Sequence, residues 1–368
     1  MSGCGQLIAE EIRQRGPISF ARFMELALYA EGCGYYTSGM MRVGRAGDFL
    51  TNVSMGEAWG LVVAHHCLAA WRAMGRPSEF RIVEQGAHDG QLAADILEAL
   101  KQLCGEVRFQ YQIIESSESQ RRMQEERLRE RGVKWWRSLE EAAPIVGIHI
   151  SNELVDALPF HIIRACRQGW CELLVDEAGG EFVFVSGALS EEILPMVEKL
   201  PGRPEGYMAE VRPAVVRWIR QVADALRMGY VLVMDYGMSR DQLLHPSRMR
   251  GTFAAYEGHL RDEMVLAKPG ERDITAHVDF TSLAEAARKA GLVIDGLADQ
   301  HHFVVRELEG WLRGHDGQPA GRLMRQVAAL MHPAMMGSKF FAMGLRTAEV
   351  PALTKFFNRE VGRGEIDG

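Results

Sequence analysis

Three polar residues stand together after an apolar run: Asn152, Glu153 and Asp156, in Ser151-Asn-Glu-Leu-Val-Asp-Ala-Leu-Pro159, which follows Pro144 to Ile150. Polar groups so placed at the end of a strand lie on the edge where open α/β sheets bind ligands. The local alternative is that Asn152 and Asp156 cap the turn before Pro159; Glu153 has no capping role there. A second constellation lies earlier, where Arg81-Ile-Val-Glu-Gln ends in the turn Glu84-x-Gly86-x-His88-x-Gly90 and a helix opens at Gln91. Gly86 and Gly90 let the backbone approach a ligand where a Cβ would collide, and the helix start offers free amides at its positive end. That shape suits an adenosine-bearing cofactor. A phosphate-binding loop would close on Gly-Lys-Ser/Thr and a dinucleotide fold would show Gly-x-Gly-x-x-Gly; neither is present.

What remains is close to the Glu/Asp-x-Gly-x-Gly-x-Gly turn of class I S-adenosylmethionine-dependent methyltransferases. An ordinary strand, turn and helix with glycines for tight packing is the competing reading. About 30 residues on, Phe109 to Glu115 is another β-prone run ending in a carboxylate, where such folds place the acid that binds ribose hydroxyls, so Glu115 is the expected ribose ligand. Asp48, after Gly47, could hold the cofactor's amino group or stabilise a tight turn. Tyr35, Tyr36 and Tyr236 are candidate walls of an acceptor pocket, or packing. His277 and Asp279, two apart, would share a strand face; with His259 they could be read as a metal site, but Asp279 sits just before Phe280, where a helix begins, and no metal is expected.

These residues need a sheet to position them. Strands are expected at about 80–85, 110–115, 132–136, 145–151, 229–236, 292–305 and 338–345, with helices between the first five and the last two pairing antiparallel at one edge. This is an α/β fold, the seven-stranded, Rossmann-like sheet of class I methyltransferases. Before it, Leu7–Arg15 and Ser19–Ala30 read as helices, the second capped by Ser19, followed by the loops 31–36 and 43–51 and a helix from Gly56 to Met74. Inside it, 160–165, 170–175 and 181–185 form an expected antiparallel meander, and Pro213–Arg227 a helix. The expected divisions are an N-terminal helical cap and lid loop over 1–76, the first half of the core over 77–159, a β/helical insertion over 160–227, the second half over 228–346 with a long acceptor-side loop at 238–280, and a tail over 347–368.

With 368 residues, 47% of them apolar, the chain can bury one large core with insertions or two domains. A net charge of −7 and an Arg-rich segment, Arg121 to Arg131, interleaved with Glu as on a solvated helix, argue against a nucleic-acid surface. Six scattered cysteines without Cys-x-x-Cys spacing indicate neither a zinc site nor a disulfide framework, so a reducing compartment is expected. No apolar run is long enough to span a membrane, and the first fifteen residues lack signal or transit character; the expected location is cytoplasmic. A two-fold dimer is the default assembly.

Laid side by side, these stretches resemble the MidA family. The resemblance covers nearly the whole chain through Gly34-Tyr35-Tyr36, Gly47-Asp48-Phe49-Leu50-Thr51, the turn Glu84 to Leu92, Glu115-Ser116, Asn152-Glu153 with Asp156 to Pro159, Asp235-Tyr236-Gly237, Gly251-Thr252, Asp273 to Phe280, Gln300 and Met336-Gly337. It implies a class I fold that binds S-adenosyl-L-methionine, releases S-adenosyl-L-homocysteine, and methylates an arginine of a protein, in mitochondria a complex I subunit, to the symmetric dimethyl product. It also implies that Glu84, Gly86, His88, Gly90, Leu92, Glu115, Ser116, Gly47, Asp48 and Asn152 bind the cofactor, that Asn152, Glu153 and Asp156 do the chemistry, and that Tyr35, Tyr36, Tyr236, His277 and Asp279 meet the acceptor. The family's turn usually reads Glu-Leu-Gly-Pro-Gly-Arg-Gly-Thr-Leu, so His88 stands where a glycine is usual, at a cost of about 1 kcal/mol if φ is positive. The family's segment after Gly-Asp-Phe-Ile carries an acid that Thr51 to Ser54 lacks. A small-molecule acceptor, and a cofactor-binding assembly factor without catalysis, are the alternatives.

Overall fold

The computed structural model describes residues 3–38, 52–105, 109–257, 260–314, 321–333 and 337–353. Gly47, Asp48, His259 and Met336 lie outside the described residues. The chain folds as two compact units, one comprising 1–49, 156–217 and 239–277, the other 50–155, 218–238 and 278–368.

The second unit carries the expected sheet. In chain order it contains α1 (Ala58–Ala73), β1 (Arg81–Gln85), α2 (Gln91–Cys104), β2 (Gln110–Ile114), α3 (Glu118–Arg127), β3 (Lys134–Trp136), β4 (Ile145–Asn152), β5 (Leu226–Met238), α4 (Phe280–Lys289), β6 (Val293–Asp299), α5 (Gln300–Glu307), α6 (Arg322–Met331) and β7 (Phe340–Arg346). The strand order is β6-β7-β5-β4-β1-β2-β3, with Val278–Asp279 added beside the end of β5. β1 to β5 pair parallel and β7 pairs antiparallel with both β5 and β6. A parallel sheet covered on both faces explains why Val231 to Met234 in β5 is an unbroken apolar run, all of it buried. On one face Ile82, Ile148, Ile150 and Leu232 pack under α1 and α2. α1 lies so close to α2 that a Cβ on Gly60 would come within 2.8 Å of the Asp95 backbone.

One strand is shorter than expected. Residues 300–305 are helix, because Asp299 turns its carboxylate onto the His302 amide (2.9 Å) and caps α5, whose Phe303 and Val304 then enter the core. Ser19 caps the helix Phe20–Tyr29 as expected, and the helix from Pro213 ends at Ala225, where β5 begins.

The first unit is built on a five-stranded antiparallel sheet. The meander His161–Cys166, Gly169–Ala178 and Glu181–Gly187 is joined by Met208–Val211, which pairs with its first strand, and by Ile18–Ser19, which pairs with its middle strand at Leu174 and Val175. Leu260–Asp262, Ala254–Glu257 and Asp273–Thr275 form a second small sheet. Phe20, Phe23, Phe160 and Phe253 centre its core. The reading of the cysteines is corrected here: Cys4 is bonded to Cys33 and Cys166 to Cys171. The first pair is 29 residues apart in sequence and is assembled only when the helix Gly3–Arg15 meets the following loop. Among the described residues no helix is long and apolar enough to cross a membrane.

Candidate active site

The turn after β1 has the backbone that its glycines suggest. Gly86 (φ +81°), His88 (φ +49°) and Gly90 (φ +79°) are all left-handed, so His88 adopts the conformation expected at its position. A Cβ on Gly86 would sit 3.0 Å from Leu154 Cδ1, which brings the end of β4 directly against the turn. The turn is held from outside by α3. Gln124 Nε2 donates to the His88 carbonyl (2.8 Å) and to Glu115 Oε2 (2.9 Å), while its Oε1 accepts from Trp135 Nε1 (3.0 Å). Arg127 donates to the Asp89 carbonyl (2.9 Å) and to Asp89 Oδ2 (2.7 Å), and Asp89 Oδ1 accepts the Gln91 amide (3.1 Å). Burial works to raise the Asp89 pKa, but His88, Arg127 and that amide outweigh it and hold the carboxyl below its ordinary value. On the helix expected to be a solvated charged face, Arg127 is exposed but Gln124 is buried. The one sequence sign against that was Gln120 and Gln124, four apart, which are the buried residues of this helix.

Glu115 follows β2 with Oε1 taken by the Ser117 amide (2.8 Å) and Oε2 by Gln124; burial raises its pKa against these hydrogen bonds. An ionised carboxylate has about four acceptor directions, so hydroxyl groups can still donate to it. Ser116 beside it is exposed. Two expected cofactor contacts are corrected. Glu84 is turned into the core by the alternation of β1, accepts the Tyr111 hydroxyl (2.7 Å), and is pushed up to about 7 by burial; Leu92 is likewise packed in the core. Both support the turn from beneath.

At the end of β4, Trp59 Nε1 donates to Asn152 Oδ1 (2.8 Å), and Asn152 Nδ2 and the Asn52 amide both donate to Glu153 Oε1 (3.3 Å each). Glu153 is itself left-handed (φ +51°), with its amide fixed on the Met234 carbonyl (2.9 Å). A non-glycine residue is held in this region only when its surroundings dictate it, and such residues cluster at functional sites. Fully buried Asp235 accepts from the amides of Val155 (2.9 Å) and Tyr236 (2.8 Å); Tyr236 is half-buried, edge-on to Phe340. Asp279 caps α4 by accepting the Ser282 amide (2.9 Å), so the capping reading replaces that of a substrate ligand.

In the first unit a second set of groups gathers. Asp156 is buried, and desolvation pushes its carboxyl up to about 6 although the Arg212 guanidinium pulls the other way. Asp273, also buried, accepts the Tyr36 hydroxyl (2.7 Å), and Tyr36 stacks on Tyr29, whose hydroxyl donates to the Ala157 carbonyl (2.8 Å). Burial, then the charge of Asp273, drives the Tyr36 phenol well above its ordinary range. Arg212 donates to the His277 carbonyl (2.9 Å) and lies 5.1 Å over the Phe160 ring. Of the expected acceptor residues, Tyr36 belongs to this set and Tyr35 is packed in the core, so its packing alternative holds. Tyr29, Arg212 and Asp273 were missed; Asp273 lay inside a quoted motif without a role.

The family model for S-adenosyl-L-methionine-dependent methyltransferases matches residues 62–298. The chain belongs to this family. A crystal structure of a Burkholderia thailandensis protein described as a "likely methyl transferase", bound to S-adenosyl-homocysteine, superposes with a TM-score of 0.85 at 30% identity, over 96% of this chain and 94% of that one. Similar relatives include "Protein arginine methyltransferase NDUFAF7, mitochondrial" of Danio rerio, 28% identical over 93% of this chain and 87% of the relative, and of Homo sapiens, 26% identical over 90% and 80%. The fold is that of class I methyltransferases and the cofactor is S-adenosyl-L-methionine. The residues present fit it: a turn whose glycines leave room for a ligand, a helix start, and a carboxylate with acceptor directions to spare. The expected cytoplasmic location is corrected, since these relatives are named as mitochondrial.

Proposed function

We propose that this methyltransferase acts on the guanidinium of an arginine side chain in a protein. The carrying observation is the pair of buried carboxylates, Asp156 and Asp273, walled by tyrosines in the first unit, with Asp156 held up to about 6. A desolvated carboxyl that Arg212 only partly compensates gains from a second cation, and a guanidinium offers both the charge and a planar fork. The stacked rings of Tyr29 and Tyr36 suit the same flat group. The names of the relatives as protein arginine methyltransferases support the reading.

S-adenosylmethionine, when bound, supplies a methyl group on a sulfonium, already activated for displacement. The chain therefore has to position the acceptor nitrogen and manage its proton. Arginine stays protonated in water, so carboxylates must orient one nitrogen and stabilise the charge that develops. We assign binding of the cation to Asp156, charge management to Glu153, and support of Glu153 to Asn152, itself held by Trp59. Tyr236 and His277 are kept as acceptor-side proposals. By the resemblance, the acceptor is a complex I subunit.

The test is transfer of a labelled methyl group from S-adenosylmethionine into a cell protein extract, with hydrolysis to amino acids. Methylarginine is the expected product, symmetric dimethylarginine the expected final form. Gly86→Val is the control: it combines a φ of +81° with a Cβ against Leu154, and should lose both label transfer and cofactor binding in calorimetry. Label found only in small molecules or on another residue would refute the arginine assignment.

A further inference from the structure

Asn52 precedes the short helix Val53–Met55, just ahead of α1, and is fully buried. Its backbone amide reaches Glu153 Oε1, yet among the described residues neither Nδ2 nor Oδ1 of its side chain has a hydrogen-bond partner. Buried polar groups are almost always paired, and an amide desolvated on both atoms is costly. Few explanations remain for a residue so placed: a bound water, or a ligand carrying a donor and an acceptor side by side.

We propose that Asn52 is a cofactor ligand whose side-chain amide binds the α-amino-carboxylate end of S-adenosylmethionine. Three features support this. First, the strand order β2-β1-β4 sets Glu115 at one end of the row, the glycine turn in the middle, and Asn152, Glu153 and the Asn52 amide at the other end. Two interstrand spacings, about 10 Å, separate the ends. With the ribose at Glu115 and the turn between, the end facing Asn52 is the amino-acid end. Second, a zwitterion matches the unpaired atoms: Nδ2 donates to the carboxylate and Oδ1 accepts from the ammonium. Third, Glu153 beside it favours that ammonium electrostatically. The adenine edge also pairs with amides, but it lies beyond the ribose, away from β4. The inference concerns the donor only and holds whichever acceptor is methylated.

The experiment is calorimetric titration of the full chain and of Asn52→Ala with two ligands, S-adenosylhomocysteine and 5′-methylthioadenosine, which keeps the adenine and ribose and lacks the amino-acid end. In Asn52→Ala the Kd for S-adenosylhomocysteine should rise at least tenfold, about 1.4 kcal/mol. The Kd for 5′-methylthioadenosine should stay within about twofold, and the thermal midpoint without ligand should not fall. Asn52→Asp keeps the volume and the acceptor for the ammonium but replaces the Nδ2 donor with an oxygen facing the carboxylate, so it too should weaken S-adenosylhomocysteine, again sparing 5′-methylthioadenosine. Unchanged affinity for S-adenosylhomocysteine in either variant overturns the proposal. So does an equal loss for both ligands, which would make Asn52 a structural residue or an adenine contact.

Discussion

Replacing Asp156 by asparagine should make the unliganded protein more stable and the enzyme worse. The carboxyl is held at about 6 against an ordinary 3.8, so burial disfavours its charge despite Arg212. At about 1.36 kcal/mol for each pH unit of difference, ionised Asp156 costs the folded state about 3 kcal/mol relative to its protonated form. The sign follows from the raised value. Below pH 3.8 the residue is neutral in both folded and unfolded chains and nothing is lost; between about 4 and 6 the unfolded chain ionises first and stability falls; above 6 the full penalty is present. Asparagine is neutral throughout and close in shape to the protonated acid. Arg212 does not lose all its partners in the variant, since it keeps the His277 carbonyl at 2.9 Å and the Phe160 ring. Denaturant unfolding of both proteins from pH 4 to 8, with matched slopes, reads the difference directly. The curves should nearly coincide at pH 4 and separate by about 3 kcal/mol, variant above wild type, by pH 7. A variant equal to or below wild type at pH 7 would refute the argument, because the surroundings of Asp156 would then stabilise its charged form as well as water does. Retained cofactor affinity with lost methyl transfer completes the expected pattern, the trade of stability for function found at many active sites.

Two further outcomes probe the turn. His88→Gly relieves a left-handed non-glycine residue but frees the unfolded chain, so stability should change by less than about 1 kcal/mol. Cofactor affinity should stay within about threefold, since His88 contributes its backbone; a tenfold loss in calorimetry would make the imidazole itself a ligand. Gln124→Leu removes the hydrogen bonds to the His88 carbonyl, Glu115 and Trp135, and leaves those groups partly unpaired. It should cost about 1–3 kcal/mol in thermal or denaturant unfolding and weaken cofactor binding. Unchanged affinity would show that α3 does not shape the turn.

The sheet could be read from sequence because its signals are local. Each strand from β1 to β5 holds apolar or aromatic residues in a β-prone stretch, and the glycines at 86 and 90 sit where the backbone has positive φ. Misreadings arose where a competing local signal was overlooked or where pairing is remote. The run 292–305 has apolar residues at both ends, yet one side-chain cap at Asp299 converts its second half to helix. Ile18–Ser19 joins a sheet with residues more than 150 positions away, and a two-residue strand has no periodicity to detect. The bonded cysteine pairs are of the same kind, being contacts of the fold and not spacings of the chain.

The site divides along the same line. Backbone requirements are written in residue type: a glycine that must be left-handed can be seen as a glycine. The chemical state of a side chain is not. Glu84, Glu115 and Asp156 are three carboxylates at the ends of neighbouring apolar runs, and nothing in their types separates a core acid bonded to Tyr111, an acid held by α3 with acceptor directions to spare, and an acid kept near 6 by burial. What separates them is which charges and dipoles the fold brings within reach, and how much water it removes. Arg127 makes the case from the other side. On a helix that reads Glu-Ser-Gln-Arg-Arg-Met-Gln-Glu-Glu-Arg, its charge marks it as solvent-facing like its neighbours, yet its guanidinium fixes both the carbonyl and the carboxylate of Asp89. Sequence therefore locates the glycine turn, while the packing around it decides the state of its charged residues.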